Sequence, residues 1–148
     1  MCIINFITMN KAAFSLLGYK FDKVNLDLSS LCPGTEFNII FSPSGVFYPK
    51  TGEFTLKFAF SAKTDGNDID VIYINCVATY KFKDVREFSE IPEYFYANSI
   101  AILFPYVRAF VSTVTLQANI RPIVLPTYNV SPLKDELIRN TRVSDVDD

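Results

Sequence analysis

The segment AILFPYVRAFV, residues 101–111, places a proline and an arginine inside an apolar run. Proline lacks a backbone N–H, and a helix tolerates it without cost only in the first turn. If a helical piece begins at Pro105, Val107 and Val111 fall on one apolar face and Arg108 falls on another. We therefore predict a bent helix in which Pro105 marks the joint between two helical pieces, with the arginine on the polar side.

The residues before this helix have the pattern of β-strands. In EFTLKFAFS, residues 53–61, apolar residues alternate with small or polar ones, as in a strand with one buried face. In IDVIYINCVATYKFK, residues 69–83, both faces are apolar, so each face needs a cover or a partner. The turn KTDGND joins these two runs as a hairpin. Residues 14–28 and 37–48 complete four strands, and the second of these is predicted to enter a turn at SPSG, residues 42–45.

The segment after the helix is apolar and rich in proline. NIRPIVLPTYNVSPL, residues 119–133, holds three prolines and is therefore predicted to be extended and to lie outside the sheet interior. A short helix is expected at 133–142. We expect one domain at 14–142, an N-terminal arm or upstream extension at 1–13 with a start at Met1 or Met9, and an acidic tail at 143–148.

The composition excludes several classes of function. The net charge of −2 gives no basic footprint for nucleic acid, and the absence of histidine removes the usual nucleophile pairs and histidine metal sites. The three cysteines (Cys2, Cys32 and Cys76) form no C-x-x-C pair, so neither a metal site nor thioredoxin-type chemistry is expected, and their scattered positions fit a reducing compartment such as the cytoplasm. The N-terminus lacks a basic segment before its apolar stretch, so we predict neither a signal peptide nor membrane insertion.

Two motifs carry a resemblance to a known family. LFPYVR at 103–108, with IVLPTY at 123–128 behind it, resembles the SecB family of bacterial protein-export chaperones. The resemblance implies an α+β fold, with a four-stranded antiparallel sheet and a long kinked helix and a short C-terminal helix packed on one face. It also implies a cytoplasmic homo-oligomer, a dimer or tetramer, that binds unfolded polypeptide clients, uses no cofactor and is not an enzyme. The family passes its clients to the motor of the Sec translocase, SecA.

The resemblance also suggests where unfolded polypeptide binds. A groove for many sequences needs apolar and aromatic walls rather than exact polar pairs. The candidate walls are the connection between the first two strands, the aromatic joint and the apolar loop; their residues are Leu31, Cys32, Pro33, Tyr94, Phe95, Tyr106, Ile123, Leu125 and Tyr128. Each of these side chains fits an ordinary core equally well.

The acidic residues suggest how the motor would dock, and here the sequence departs from the family. Export chaperones carry a Cys-Glu-Val step where this chain has Asn75-Cys76-Val77, so an acid is missing. The remaining candidates for motor docking are Asp22, Asp27, Asp145, Asp147 and Asp148. Client binding therefore carries over more safely than motor docking.

Three functions are compatible with these observations. The first is an export chaperone, which the acidic tail favours. The second is a SecB-like chaperone of a toxin–antitoxin system, or another SecB-like binding protein without motor docking, which the missing strand acid favours. The third is an α+β domain that binds a small molecule, which would need an apolar pocket closed within one protomer.

Overall fold

A mixed five-stranded sheet forms the body of the protein, and two helices pack against one face. The computed structural model describes residues 13–146. The strands are β1 (Phe14–Leu26), β2 (Phe37–Tyr48), β3 (Glu53–Thr64), β4 (Asp70–Phe82) and β5 (Thr141–Val143); the helices are α1 (Glu93–Gln117) and α2 (Ser131–Arg139). The strand order is β1-β4-β3-β2-β5. The predicted α+β class and the placement of the helices are confirmed.

The alternation of side chains in β3 and β4 builds the core. Phe54, Phe58 and Phe60 of β3 are fully buried, and they lie opposite Tyr80, Cys76 and Ile74 of β4 in the antiparallel register. Each aromatic side chain buried here contributes on the order of 2–3 kcal/mol through the water that it excludes. The inner face of the sheet is therefore a continuous apolar surface against which α1 packs.

The outer face of the sheet is less apolar than the sequence of β4, with its two apolar faces, predicted. Its outward residues Tyr73, Asn75, Val77 and Thr79 are half-buried because the neighbouring strands flank them. Those neighbours contribute lysine, serine and threonine beside Ala59 and the exposed Ile40, so the face as a whole mixes polar and apolar residues. The pattern of one strand overstated how apolar the assembled face is.

The predicted turn at SPSG is wrong, because these residues continue β2. Pro43 pairs with Phe58 and Gly45 pairs with Leu56, without a break in register. Pro43 lies in a stretch of β2 that has β3 on one side only, and edge positions are where proline is tolerated in a sheet. A Cβ at Gly45 would overlap the ring of Phe54, so any larger residue here requires that ring to shift.

A fifth strand was not predicted. β5 pairs in parallel with β2 from Gly45 to Phe47, and the N–H of Ser144 donates to the carbonyl of Phe47 at 2.9 Å. The start of the predicted acidic tail is therefore tied to the sheet. Asp147, Asp148 and residues 1–12, which include Cys2 and all but the last residue of the predicted arm at 1–13, lie outside the described residues.

Helix α1 runs without interruption through Pro105, so the predicted division into two helical pieces is wrong. Pro105 and Ala101, whose carbonyl loses its N–H partner, both lie on the exposed side of the helix, where water can replace the missing bond. The opposite side is buried at every third or fourth position, including Leu103, Val107 and Val111, and Arg108 is exposed as predicted. The helix is also long and apolar enough to cross a membrane by length and composition, a criterion that core helices of soluble proteins can meet.

Candidate functional site

A groove of about 570 Å³ lies between two connecting segments on the helical side of the sheet. One wall comes from the connection between β1 and β2, and the other comes from the loop after α1. Its lining is mostly apolar: Leu31, Cys32, Pro33, Gly34, Thr35, Phe37, Ile120, Arg121, Pro122 and Ile123. Both walls have a local structure that the sequence fixes.

The first wall is a tight turn at Cys32–Thr35. The N–H of Thr35 donates to the carbonyl of Cys32 at 3.1 Å, Pro33 takes the second position, and Gly34 takes the third with φ of 85°. This is the residue pattern of a type II turn, which needs glycine at the third position. The Thr35 hydroxyl also donates to the Cys32 carbonyl at 2.6 Å, so the turn is closed twice and holds its apolar residues in place.

The second wall begins where α1 ends. Asn119 adopts a left-handed conformation with φ of 59°, its N–H donates to the carbonyl of Leu116, and the N–H of Ile120 donates to that of Thr115. These two bonds form a Schellman motif, which stops a helix and turns the chain away from its axis. The chain then runs extended through Arg121 and Pro122 along the groove.

Two hydroxyls of α1 hold this loop against the helix. The N–H of Ile123 donates to Oγ1 of Thr115 at 2.9 Å, and the carbonyl of Ile123 accepts from Oγ of Ser112 at 2.8 Å. Thr115 is fully buried, and its hydroxyl donates in turn to the carbonyl of Val111 at 2.8 Å. Ile123 is thus bound through both of its backbone polar groups, which fixes the position of its side chain at the groove.

The structure brings four of the predicted client-binding residues together. Leu31, Cys32, Pro33 and Ile123 line the same groove, although Ile123 is ninety or more positions from the other three in the chain. Leu31 and Ile123 are half-buried against the core, while Cys32 and Pro33 are exposed. Phe37, Ile120 and Pro122 also line the groove and were not predicted; the proline-rich character of the loop was the available signal for the last two.

Two other candidates are core residues and do not form a groove wall. Phe95 is fully buried, with edge-to-face contacts to Phe54 and Tyr80 at ring-centroid distances of 4.8 and 5.5 Å. Leu125 is also fully buried. Both residue types are common in cores and in apolar grooves. These two are core residues because α1 and the loop pack on the sheet with these side chains facing inward.

The three candidate tyrosines lie at separate places. Tyr128 is partly buried between Phe41 and Phe104, at centroid distances of 5.1 and 5.9 Å. Tyr106 is exposed on α1 and stacks on Tyr19 of β1 at 4.4 Å. Tyr94 lines a different cavity of about 510 Å³ between the starts of α1 and α2, where Lys134 is 2.9 Å from Glu93.

The three acidic candidates that the structure describes do not converge on one surface. Asp22 lies on the outer face of the sheet, where its carboxylate accepts from the side-chain amide of Asn75 at 2.8 Å. Asp27 follows the end of β1, and hydrogen bonds from the hydroxyl and the N–H of Ser29 lower its pKa. Asp145 follows β5 at the opposite end of the sheet.

The two described cysteines have different environments. Cys32 is exposed at the groove, whereas Cys76 is fully buried in the core. Burial, and secondarily the carboxylate of Asp22, raises the pKa of Cys76 to about 11, so its thiol stays protonated and unreactive at neutral pH. Within residues 13–146 we find no group of three or more acidic or cysteine side chains that could hold a metal ion.

The arrangement of elements matches a solved structure from Mycobacterium tuberculosis. That structure is the SecB-like chaperone Rv1957 in complex with a ChAD peptide from the HigA1 antitoxin, and it superposes with a TM-score of 0.65 over 79% of this chain and 88% of that one. The chain has the fold of a SecB-like chaperone. The two sequences are 15% identical, so the likeness concerns the fold.

The other comparisons show weaker or shorter similarities. A protein of unknown function from Streptococcus agalactiae aligns with a TM-score of 0.39 at 17% identity, over 78% of this chain and all of that one. An uncharacterised protein from the archaeon Methanocaldococcus jannaschii is 57% identical over 47 residues, which is 32% of this chain. The aligned part spans about a quarter (26%) of the length of that curated relative. No family model matches the chain.

Proposed function

We propose that this SecB-like protein is a chaperone, not an enzyme, and that it binds unfolded polypeptide in the groove between the Cys32–Thr35 turn and the Ile120–Ile123 loop. The observation that carries the proposal is the construction of the groove. Two rigid walls from distant parts of the chain present apolar side chains to solvent, in the fold of a chaperone whose solved structure holds a peptide.

The chemistry of the groove suits an unfolded client. Its lining offers apolar contacts and one cation, Arg121, and few of the precisely placed polar groups that orient a small molecule. An unfolded chain exposes side chains that a folded protein buries, so contacts of this kind distinguish the two states of the same client. Burial of two or three client side chains, at roughly 1.5–3 kcal/mol each before ordering costs, is enough for micromolar affinity.

We also propose that the client is an antitoxin, because one observation favours it. The neighbouring fold from M. tuberculosis was solved with an antitoxin peptide. Transfer of clients to SecA would instead require an acidic docking surface, and Asp22, Asp27 and Asp145 lie on separate parts of the molecule. We therefore propose a chaperone without motor docking, acting in the cytoplasm, ahead of an export chaperone.

The exposed thiol of Cys32 provides the test of client binding. The protein carries Cys2→Ser, so that Cys32 is the thiol expected to react in the folded state. It is alkylated with iodoacetamide in the presence of an unfolded client. The client is reduced, carboxamidomethylated ribonuclease A, which cannot refold. At a client concentration ten times its Kd, we expect alkylation of Cys32, located by mass spectrometry, to slow by about tenfold. Folded ribonuclease A should give no protection, and Cys76 should react only after denaturation.

A matched pair of variants checks that protection comes from the groove. Ile120→Asp places a charge in the lining, whereas Val124→Asp places the same charge on the same loop at an exposed site that is not part of the lining. We expect Ile120→Asp to abolish protection and Val124→Asp to retain it, with both variants melting as folded proteins by circular dichroism. Equal alkylation of Cys32 with and without unfolded client would refute the proposal.

A further inference from the structure

The outer face of the sheet, opposite the helices, carries all of the lysines of the described strands. The register places five lysines on this face: Lys20, Lys23, Lys57, Lys63 and Lys81. The carboxylates on the same face are those of Asp22, Glu53 and Asp70. Between the charges lie serine, threonine, alanine, asparagine and a few larger apolar residues, so this surface differs in character from the apolar groove.

The charges at the two ends of this face have acidic neighbours. Lys63 lies 3.8 Å from the carboxylate of Asp70. Lys81 lies opposite Glu53 in the register, and its ammonium donates to the carbonyl of Thr51. These two lysines are therefore engaged within the chain.

The lysines in the middle of the face are not paired in this way. Lys20, Lys23 and Lys57 are exposed, and none has a carboxylate within 4 Å in the part of the chain that the structure describes. Asp22 is the acid among them, and Asn75 already donates to it. Lys23 extends over the ring of Tyr73, with its nitrogen 5.3 Å from the centroid. The centre of the face thus has a net positive charge, on a chain whose total charge is −2.

The spacing of these lysines matches the spacing of side chains along an extended peptide. Lys20 and Lys57 both lie opposite Val77, one on each side of β4, so their backbones are two strand spacings apart, about 10 Å. In a segment with polyproline II geometry, residues i and i+3 point the same way and are about 9 Å apart. Two acidic side chains at that interval would meet both lysines across a floor formed by Val77 and small neighbours such as Ala59.

We propose that this face, centred on Lys20, Lys23 and Lys57, docks an extended acidic segment of a partner protein. The occupant is a polypeptide rather than nucleic acid, because three lysines beside one aspartate give too small a footprint to neutralise a phosphate backbone. The surface is independent of the client groove, which lies on the helical side of the sheet. The contacts are exposed, so the complex is weak and sensitive to salt.

The test uses the peptide SDSSDSSDS, with SNSSNSSNS as its uncharged control, and measures binding to the full chain by fluorescence anisotropy at low ionic strength. The double variant Lys20→Glu/Lys57→Glu should weaken binding of the acidic peptide by about tenfold or more, since exposed ion pairs are individually weak and both become repulsive. The double variant Lys50→Glu/Lys83→Glu has the same change in net charge at exposed lysines in the β2–β3 turn and just after β4, beyond the middle of the face, and should bind almost as tightly as the parent.

Three results would overturn the proposal. The first is equal binding of the aspartate and asparagine peptides, and the second is an equal loss in both double variants. The third is a single-stranded oligonucleotide that binds more tightly than the peptide and depends on the same lysines. Protection of Cys32 by unfolded ribonuclease A should be unchanged in Lys20→Glu/Lys57→Glu, so failure here is distinguishable from failure of client binding.

Discussion

At the scale of single residues, Thr115 connects the helix to the groove. Its hydroxyl donates to the carbonyl of Val111 and accepts from the N–H of Ile123, in a fully buried position. A buried N–H that loses its partner costs on the order of 1–3 kcal/mol. The threonine therefore acts as a positioning residue for a wall that it does not itself form.

Replacement of Thr115 by valine should separate this role from packing. Valine keeps the shape of the side chain and removes the hydroxyl, so the N–H of Ile123 loses its acceptor. We expect a loss of about 1–3 kcal/mol in the free energy of unfolding, from urea titration, and a rise of several-fold in the Kd for unfolded ribonuclease A.

Thr113→Val is the matched control for this prediction. Its hydroxyl also donates to a backbone carbonyl of α1, that of Ala109 at 2.8 Å, but the side chain is exposed and lies away from the loop. Client affinity should be unchanged in this variant. If Thr115→Val binds clients as tightly as the parent, the loop does not need its hydroxyl contacts to form the groove wall.

At the scale of elements, the pairing of β2 with β3 depends on one glycine. Gly45 is buried where the Phe54 ring fills the space of a Cβ, and Oγ1 of Thr141 approaches from β5 at 3.0 Å from that point. Gly45→Ala should cost about 1–3 kcal/mol in the free energy of unfolding, because the ring and the strand must shift to avoid overlap. The measurement is a urea titration followed by circular dichroism.

Gly18→Ala provides the comparison, because a Cβ at Gly18 in β1 would meet no atom within 4 Å. This variant should change the free energy of unfolding by less than about 0.5 kcal/mol, as substitutions in open positions usually do. If both variants lose the same free energy of unfolding, the loss comes from the backbone conformation that glycine allows in these strands. The overlap with the Phe54 ring would then contribute little.

The elements show how far local pattern reaches. Alternation in β3 and helical spacing after Pro105 are local signals, and they predicted the bounds of β3 and the end of α1 within a few residues, but not the start of α1 at Glu93. The predicted turn at Pro43 and Gly45 was wrong because β3 supplies a partner that holds these residues in a strand. β5 was missed because its three residues pair with β2 about ninety-six positions earlier, and no periodicity can show such a contact.

The groove shows the same limit. Leu31, Cys32, Pro33 and Ile123 were predicted through a resemblance to a family, and the structure places them together. Phe95 and Leu125 have the same apolar character in the sequence, yet both are fully buried. Exposure is decided by which face of α1 and of the loop packs on the sheet, and that is a property of the tertiary structure.

At the scale of the whole molecule, exposed apolar side chains on α1 and β1 lead us to expect an oligomer. Leu17 and Tyr19 of β1 and Ile102, Tyr106 and Leu116 of α1 are all exposed, and Tyr19 stacks on Tyr106. An exposed apolar patch that joins two elements is typical of a surface that another protein covers. β1 is also an edge strand of the sheet, so its outer backbone groups can pair with another strand.

We therefore expect a dimer or a tetramer that buries this patch, and a double variant should dissociate it. Ile102→Asp/Leu116→Asp places two charges where the partner would exclude water, which costs several kcal/mol of association free energy. Sedimentation velocity at micromolar concentration should show the oligomer for the parent and a smaller species for the variant.

Ile40→Asp is the control, since Ile40 is exposed to a similar degree on the outer face of the sheet, where the lysines lie. A parent that sediments as a monomer, or dissociation by Ile40→Asp with no effect of the double variant, would show that this patch is not the contact between copies.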